Sequence, residues 1–280
     1  METQAYAERG YLLEDFRLFH LRGAMEEQLD WHYHTFHKLV FFLGGSAGYG
    51  VEGRSFRLER GDAVLVPQGC IHRPEAAPGA PYERVILYLS PEFLSRMSGP
   101  DCPLDACFAR SSAQFRFVLR PGPARRELLR NLSALEEAVT QPGFGAQLLA
   151  QALLVQLLIS LRRLFDADGT LPGESIAADE KVAAILQYLS QHLTERVSID
   201  DLAARFYISK YHMMRRFRAE TGCTIHAYLV GKRLALAREQ IAAGVPAGQA
   251  AAACGFGDYS AFCRAYRRRF GLPPSSARGA

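Results

Sequence analysis

The chain has 280 residues, 49% of them hydrophobic and 22% charged, with a formal net charge of +4. That length holds two domains of ordinary size, and the composition excludes a collagen-like, disordered or polyelectrolyte protein. The charge is unevenly placed: residues 179–280 carry 15 Lys+Arg against 8 Asp+Glu, and residues 1–178 carry 18 against 21, so only the C-terminal third is suited to neutralise phosphates.

The opening segment METQAYAERG has no basic stretch followed by an apolar core, so no signal peptide is expected. From Phe16 to Leu89 the pattern is one of short strands and turns: Lys38–Leu43 closed by Gly44-Gly45, a strand within Gly48–Gly53, Phe56–Leu58 before the turn at Arg60-Gly61-Asp62, then Ala63–Val66 and Arg84–Leu89. Strands at this spacing predict a small β-barrel or sandwich, with no helix of useful length in that region.

After Leu89 the period changes. Arg125–Val139 places Leu128, Leu129, Leu132, Leu135 and Val139 on one stripe beside a charged face, and Phe144–Phe165 is apolar almost all the way round. The two are read as an antiparallel pair that covers the barrel and supplies a homodimer seam; the alternative is that both complete a monomer core. The longest apolar stretch, Leu148–Leu161, is interrupted by Gln151 and Gln156 and is too short to span a bilayer. Asp166–Asp179 is rich in Gly, Pro, Asp and Ser and is the best domain boundary. The six cysteines show no CxxC and no matched His pair, which points to free thiols in a reducing cytoplasm.

Helical pattern resumes at Lys181 and carries a motif written twice. The copies, within Leu202–Gly222 and Ala250–Gly271, align at an offset of 49, pairing Ser209 with Asp258, Met213 with Phe262, Phe217 with Tyr266 and Gly222 with Gly271. Each copy reads as a small-residue helix, a turn, an N-cap, then a basic helix with an apolar i, i+4 pair. In the first, Ser198 caps the scaffold helix and Ser209 the second, leaving Lys210, Tyr211, Met214, Arg215 and Arg218 on the outer face. In the second, Asp258 or Ser260 is the cap, and Ser260, Ala261, Arg264, Ala265 and Arg268 are placed to face DNA, with Arg267 and Arg269 as phosphate contacts. Lys and Arg reach guanine edges or phosphate, and apolar groups meet the thymine methyl. Between the units, Ile225–Ala242 predicts a helix of ~27 Å, a rod suited to hold two recognition helices about one DNA turn, ~34 Å, apart.

These features resemble the AraC/XylS family of bacterial transcription regulators. The resemblance covers about residues 179–278 and rests on the repeat, on Arg233-Leu234 and Ala237, on Gly255-Phe256 with Asp258, Phe262, Arg264 and Tyr266, and on Gly271-Leu272-Pro273-Pro274 with Arg278. It implies that each second helix enters a major groove. The chain departs from the family at Ala247, Gly248 and Ala250, where branched aliphatics are usual; the second unit is therefore expected to be the less stable one, ordering fully on DNA.

In the N-terminal part, His32-Tyr33-His34 puts two imidazoles on one face of a strand, and Gly61-(five residues)-Pro67-Gln68-Gly69-Cys70-Ile71-His72 follows. The spacing resembles the two cupin signatures, which imply a β-barrel with a metal held by three His and one Glu. Here Lys38 stands at the Glu position, Gly45 follows at the expected distance, Glu26 replaces the leading Gly and Ala76 the terminal Asn. An ammonium beside imidazoles opposes a divalent cation and suits a carboxylate, phosphate or sugar. Three readings stay open: an effector site of His32, His34, Lys38 and His72, a metal (Zn or Fe) on His32, His34 and His72, or a structural His cluster. His37 is expected to face the other way, and Cys70 beside the cluster admits thiol sensing.

The chain thus reads as a multidomain α+β protein. Residues 1–120 form a cupin-like sensor barrel, 121–166 a dimerising helical pair and 167–179 a linker. Residues 180–280 form an all-α DNA-binding domain with helix-turn-helix motifs at 198–219 and 247–270. The expected function is a cytoplasmic, homodimeric, sequence-specific transcription regulator under small-molecule control. It would meet promoter DNA, an effector and, as an activator, RNA polymerase, without membrane association or catalysis. The rival from another class is a metal-dependent cupin enzyme with an accessory DNA-binding domain; a third reading is a nucleoid-type binder with little sequence preference.

Overall fold

A computed structural model describes residues 7–8, 10–25, 29–167, 171–172, 175–176, 179–242 and 244–277. Glu26, Arg278 and much of the expected linker lie outside the described residues. The chain divides into two compact units, one of Glu8–Ala177 and one of Met1–Ala7 with Ala178–Ala280, so that the short strand at Ala7–Glu8 straddles the division.

The first unit carries strands β1 (Ala7–Glu8), β2 (Phe16–Leu21), β3 (His32–Tyr33), β4 (His37–Gly45), β5 (Ala47–Val51), β6 (Arg54–Arg57), β7 (Ala63–Val66), β8 (His72–Ala76), β9 (Tyr82–Leu89), β10 (Val118–Arg120), β11 (Leu171–Pro172) and β12 (Ser175–Ile176). They form two sheets, ordered β1-β3-β8-β5-β6-β12 and β11-β10-β7-β4-β9-β2, which make a flattened barrel. The central strand β4 reads HKLVFFLGG, with His37–Phe42 buried, because both of its faces are covered. Its register sets Lys38 opposite Tyr88 and Val66, Val40 opposite Ile86 and Val64, and Phe42 opposite Arg84. By the two-residue alternation these groups share the inner face, while Leu39, Phe41, Leu65, Val85 and Leu87 point into a core shared with the helices.

Two helices unforeseen from sequence follow β9: α1 (Pro91–Met97) and α2 (Ala106–Gln114). The start of α1 is written in Ser90-Pro91-Glu92, where the Ser90 hydroxyl accepts from the Phe93 N–H and Pro91 opens the first turn. Helices α3 (Arg125–Thr140) and α4 (Ala146–Asp166) bury Leu128, Leu132, Leu135, Leu154, Leu157, Leu158, Leu161 and Phe165 in the sheet-bound core. Each such side chain stabilises by about 2 kcal/mol. The expected α3 stripe turns slightly: Asn131 and Ala138 are buried while Val139 is exposed. Helix α4 is longer than the apolar stretch foreseen: it has 21 residues and an 18-residue window of mean hydropathy 1.6, long and apolar enough to cross a membrane by length and composition, yet Leu154, Leu157, Leu158 and Leu161 lie in this core while Leu148 and Leu149 are exposed.

The segment read as a linker also contributes to the barrel. Leu171 and Pro172 pair with Arg120 and Leu119 of β10, and Ser175 and Ile176 pair with Phe56 and Ser55 of β6, so this stretch closes an edge of each sheet. Its Gly, Pro and Ser content hides edge strands only two residues long.

The second unit holds α5 (Glu180–Gln191), α6 (Ile199–Arg205), α7 (Lys210–Thr221), α8 (Ile225–Ala242), α9 (Ala247–Ala253) and α10 (Tyr259–Phe270). Asp179 caps α5, Ser198 caps α6, Ser209 caps α7 and Asp258 caps α10, each side chain accepting backbone N–H groups of the first turn. Helix α9 has Pro246 at that position and no side-chain cap. Met213, Phe217 and Leu202 are buried in the first helix-turn-helix, and Phe262, Tyr266, Ala250, Ala251 and Cys254 in the second, on Leu234, Ala237 and Ile241 of α8.

Candidate nucleic-acid interface and effector site

Burial of Met213, Phe217 and Thr221 on one side of α7 leaves Lys210, Tyr211, Met214, Arg215 and Arg218 exposed on the other. Tyr211 is 74% and Met214 39% exposed. Ser209 is the cap, its hydroxyl accepting from the His212 N–H at 3.4 Å, and the Lys210 ammonium lies 3.3 Å from Asp200. The Arg215 guanidinium meets the His212 imidazole at 3.2 Å.

On α10, Ser260, Arg264, Arg267 and Arg268 are exposed and Ala261 is half-buried. Asp258 is the cap; N–H groups of Ala261 and Ser260 hold its carboxyl below the usual range. Arg269, expected to contact phosphate, sits beside α8. It is half-buried, and a Cβ on Gly231 of α8 would lie 3.5 Å from its guanidinium, because the period of α10 turns position 269 toward α8.

In the barrel, register pairs His32 directly with His72 across β3 and β8. The three imidazoles converge, His32 to His72 at 4.4 Å, His34 to His72 at 4.8 Å and His32 to His34 at 5.1 Å between ring centres, all buried. His32 Nδ1 lies 2.8 Å from the Asp30 carbonyl and His72 Nδ1 3.0 Å from the Cys70 carbonyl. A carbonyl only accepts, so both Nδ1 carry the proton and both Nε2 present a lone pair. The Lys38 amine lies 3.4 Å from His72 Nε2 and donates to it. Burial, then the Lys38, His34 and His32 charges, hold His72 well below its ordinary value. Burial, then Arg84, pulls Lys38 down to about 7.

The ligand atoms of His32, His34 and His72 lie within 4.8 Å of one another, yet the donor set does not fit a divalent cation with Lys38 in place. The His72 Nε2 lone pair is taken by the Lys38 amine, and a charged Lys38 would repel the ion. His37 faces away, stacked on Phe108 of α2 at 4.4 Å and accepting from the Gln68 N–H; burial pushes it down to about 3. Cys70 is buried with its sulfur 3.7 Å from the Ser112 hydroxyl.

Sequence reasoning missed the other inward groups. Tyr49 of β5 lies parallel to His72 with ring centres 6.0 Å apart, under Lys38 at 5.9 Å, and its buried hydroxyl has no hydrogen-bond partner among the described residues. Arg84 on β9 lies over the Tyr82 ring at 4.1 Å. Neither Lys38 nor Arg84 forms an ion pair among the described residues. The signal was available in the β4–β9 register, which follows from strand alternation once the pairing is known.

A family model for the AraC-like ligand binding domain matches residues 17–158, more than half of the chain, and a helix-turn-helix domain matches residues 202–280. The chain belongs to the AraC family. Among AraC-family relatives, the transcriptional activator RhaS of Escherichia fergusonii is 26% identical over 92% of this chain and 88% of its own, and LumQ of Photobacterium leiognathi 25% identical over 90% and 93%. The solved structure of ToxT from Vibrio cholerae covers 95% of this chain and 100% of its own at 12% identity and a TM-score of 0.37, a likeness too slight to carry weight. This AraC-family chain is a DNA-binding transcriptional regulator with an N-terminal ligand-binding domain, not an enzyme. The rival cupin-enzyme reading finds no support in relatives that are regulators.

Proposed function

We propose that this AraC-family regulator responds to a small organic anion bound inside the barrel and acts in the cytoplasm as a homodimer. One observation carries the effector reading: two inward-facing cations, Lys38 and Arg84, have no acidic partner among the described residues, and the Tyr49 hydroxyl beside them is buried unpaired. An uncompensated cation in a low-dielectric interior is costly, and an anion that pairs with it restores what burial removed. A carboxylate or phosphate meets that need, with Phe19, Ile86 and Tyr88, half-exposed on the same inner face, to cover an apolar body. The dimer reading rests on Phe144, Leu148, Leu149 and Val139, large apolar groups exposed around the α3–α4 turn. The outer faces of α7 and α10 read promoter bases through Arg215 and Arg264, and an activating contact with RNA polymerase follows binding.

The single tryptophan, Trp31, adjoins His32 and packs on Gly50, where a Cβ would lie 2.7 Å from the indole. It stacks on Arg73 at 4.6 Å, on the face of the sheet opposite the imidazoles, so its fluorescence responds to the cluster through the His32 and His72 backbone. Titration with a panel of aliphatic and aromatic monocarboxylates should change that fluorescence and shift DNA affinity, while the matching amides do neither and Lys38→Met abolishes both responses. A response to Zn2+ alone, unaffected by Lys38→Met, would contradict the anion reading and favour a metal on His32, His34 and His72.

A further inference from the structure

Arg233 lies near the middle of α8, the helix that joins the two helix-turn-helix units, and its guanidinium is not on the face offered to DNA. Nε donates to the Leu193 carbonyl at 2.7 Å and Nη2 to the Glu195 carbonyl at 2.6 Å, both in the loop that leads from α5 to α6 of the first unit. Nη1 donates to the Gly255 carbonyl at 3.1 Å, in the turn between α9 and α10 of the second. One side chain thus binds three main-chain acceptors drawn from both units. The backbones also meet directly: a Cβ on Gly255 would lie 2.6 Å from the Thr194 carbonyl oxygen and 3.2 Å from Cζ of Arg233. Gly255 has a φ of +82°, which any other residue adopts only with strain. The two units are therefore stapled at a point, and α8 alone does not set their relation.

We propose that Arg233 is a positioning residue that fixes the separation and relative rotation of α7 and α10, so that the regulator accepts its two DNA segments at one spacing only. The physical reason is geometric. A helix rod with short loops at both ends leaves each recognition helix free to tilt. Three charge-assisted bonds to carbonyls of both units remove that freedom, and the planar fork of Arg makes them together. An ammonium has one centre and cannot span acceptors on two loops, so Arg233→Lys keeps the charge and loses the staple. One inserted base pair turns the second segment by about 36° and moves it ~3.4 Å, more than a stapled pair of helices tolerates.

The test uses the full chain and fluorescence anisotropy on duplexes that carry both selected segments at the preferred spacing, one base pair closer, one base pair farther, and each segment alone. Wild type should lose about tenfold or more in affinity at either altered spacing, the scale of one lost base contact. Arg233→Lys and, independently, Gly255→Ala should bind the three spacings within about threefold of one another. Each should keep wild-type affinity for a single segment, which also shows that the units remain folded. The proposal is overturned if either variant keeps the wild-type spacing profile, or if its affinity falls in equal proportion on every duplex, since that is the signature of general destabilisation.

Discussion

At the scale of single residues, the buried basic groups make the barrel sensitive to pH in one sense over two windows, each group costing stability as pH falls. Burial holds His37 at about 3 against an ordinary 6.5, and His72 is lowered too. The unfolded chain therefore takes up protons first as pH falls below 6.5, and stability is lost toward pH 3 at up to about 1.4 kcal/mol per pH unit for each histidine. Lys38, lowered to about 7 from 10.5, works in the same sense in a higher window: its charge penalty is full below pH 7 and is relieved as pH rises toward 10.5. Lys38→Met should thus be more stable than wild type near neutrality, with an advantage in urea melts that shrinks as the pH approaches 10; a constant advantage would exclude this account of Lys38. On the other unit, Arg215→Ala and Arg264→Ala should each cost about 1–3 kcal/mol of binding and relax preference in different DNA segments. Equal weakening on all sequences would make them phosphate contacts instead. Such single positions divide sharply in how far sequence discloses them. The α7 and α10 faces follow from a period of 3.6, whereas the proximity of Arg269 to Gly231 of α8 appears only once the helices are packed.

Elements differ in how well they are built, and the doubled motif is not a pair of equals. Helix α6 has a Ser198 cap and Asp200 and Asp201 in its first turn, while α9 has no side-chain cap and the sequence AGQAAAA. Its buried contribution comes from Ala250 and Ala251, which cover far less area than Leu202 and gain less from burial. Hydrogen exchange without DNA should show lower protection in α9–α10 than in α6–α7, with the difference closing on DNA; equal protection in both would refute the inequality. Gly248 has open space at its Cβ position and no positive φ, so Gly248→Ala should raise the midpoint of that unit's unfolding by the equivalent of about 0.5–1 kcal/mol. Long periodic helices such as α3, α4 and α8 and the apolar strand β4 were legible because one strong pattern specifies each. The strands β11 and β12 were not, since two residues carry no period, and α1 and α2 were short enough to be lost between turn signals.

The molecule as a whole is a ligand-binding barrel unit and a DNA-reading helical unit in one chain. The division of charge already separated them in sequence, and the repeat with its spacing named the second. The barrel's ligand was less accessible, because it depends on which inward groups lack partners, and that is known only when both sheets are assembled. Sensing and reading meet in the proposed homodimer, so apolar-to-charged changes at Phe144 and Leu148 should halve the mass measured by sedimentation and leave the monomer folded; an unchanged mass would remove that surface from the interface. The most direct trial of the central claim is selection of bound sequences from random DNA by the full-length protein. The account predicts an asymmetric site of two adjacent major-groove segments about one turn apart, with Arg215 and Arg264 each tied to one segment. Enrichment of no sequence, or of a single short segment indifferent to both arginines, would contradict it.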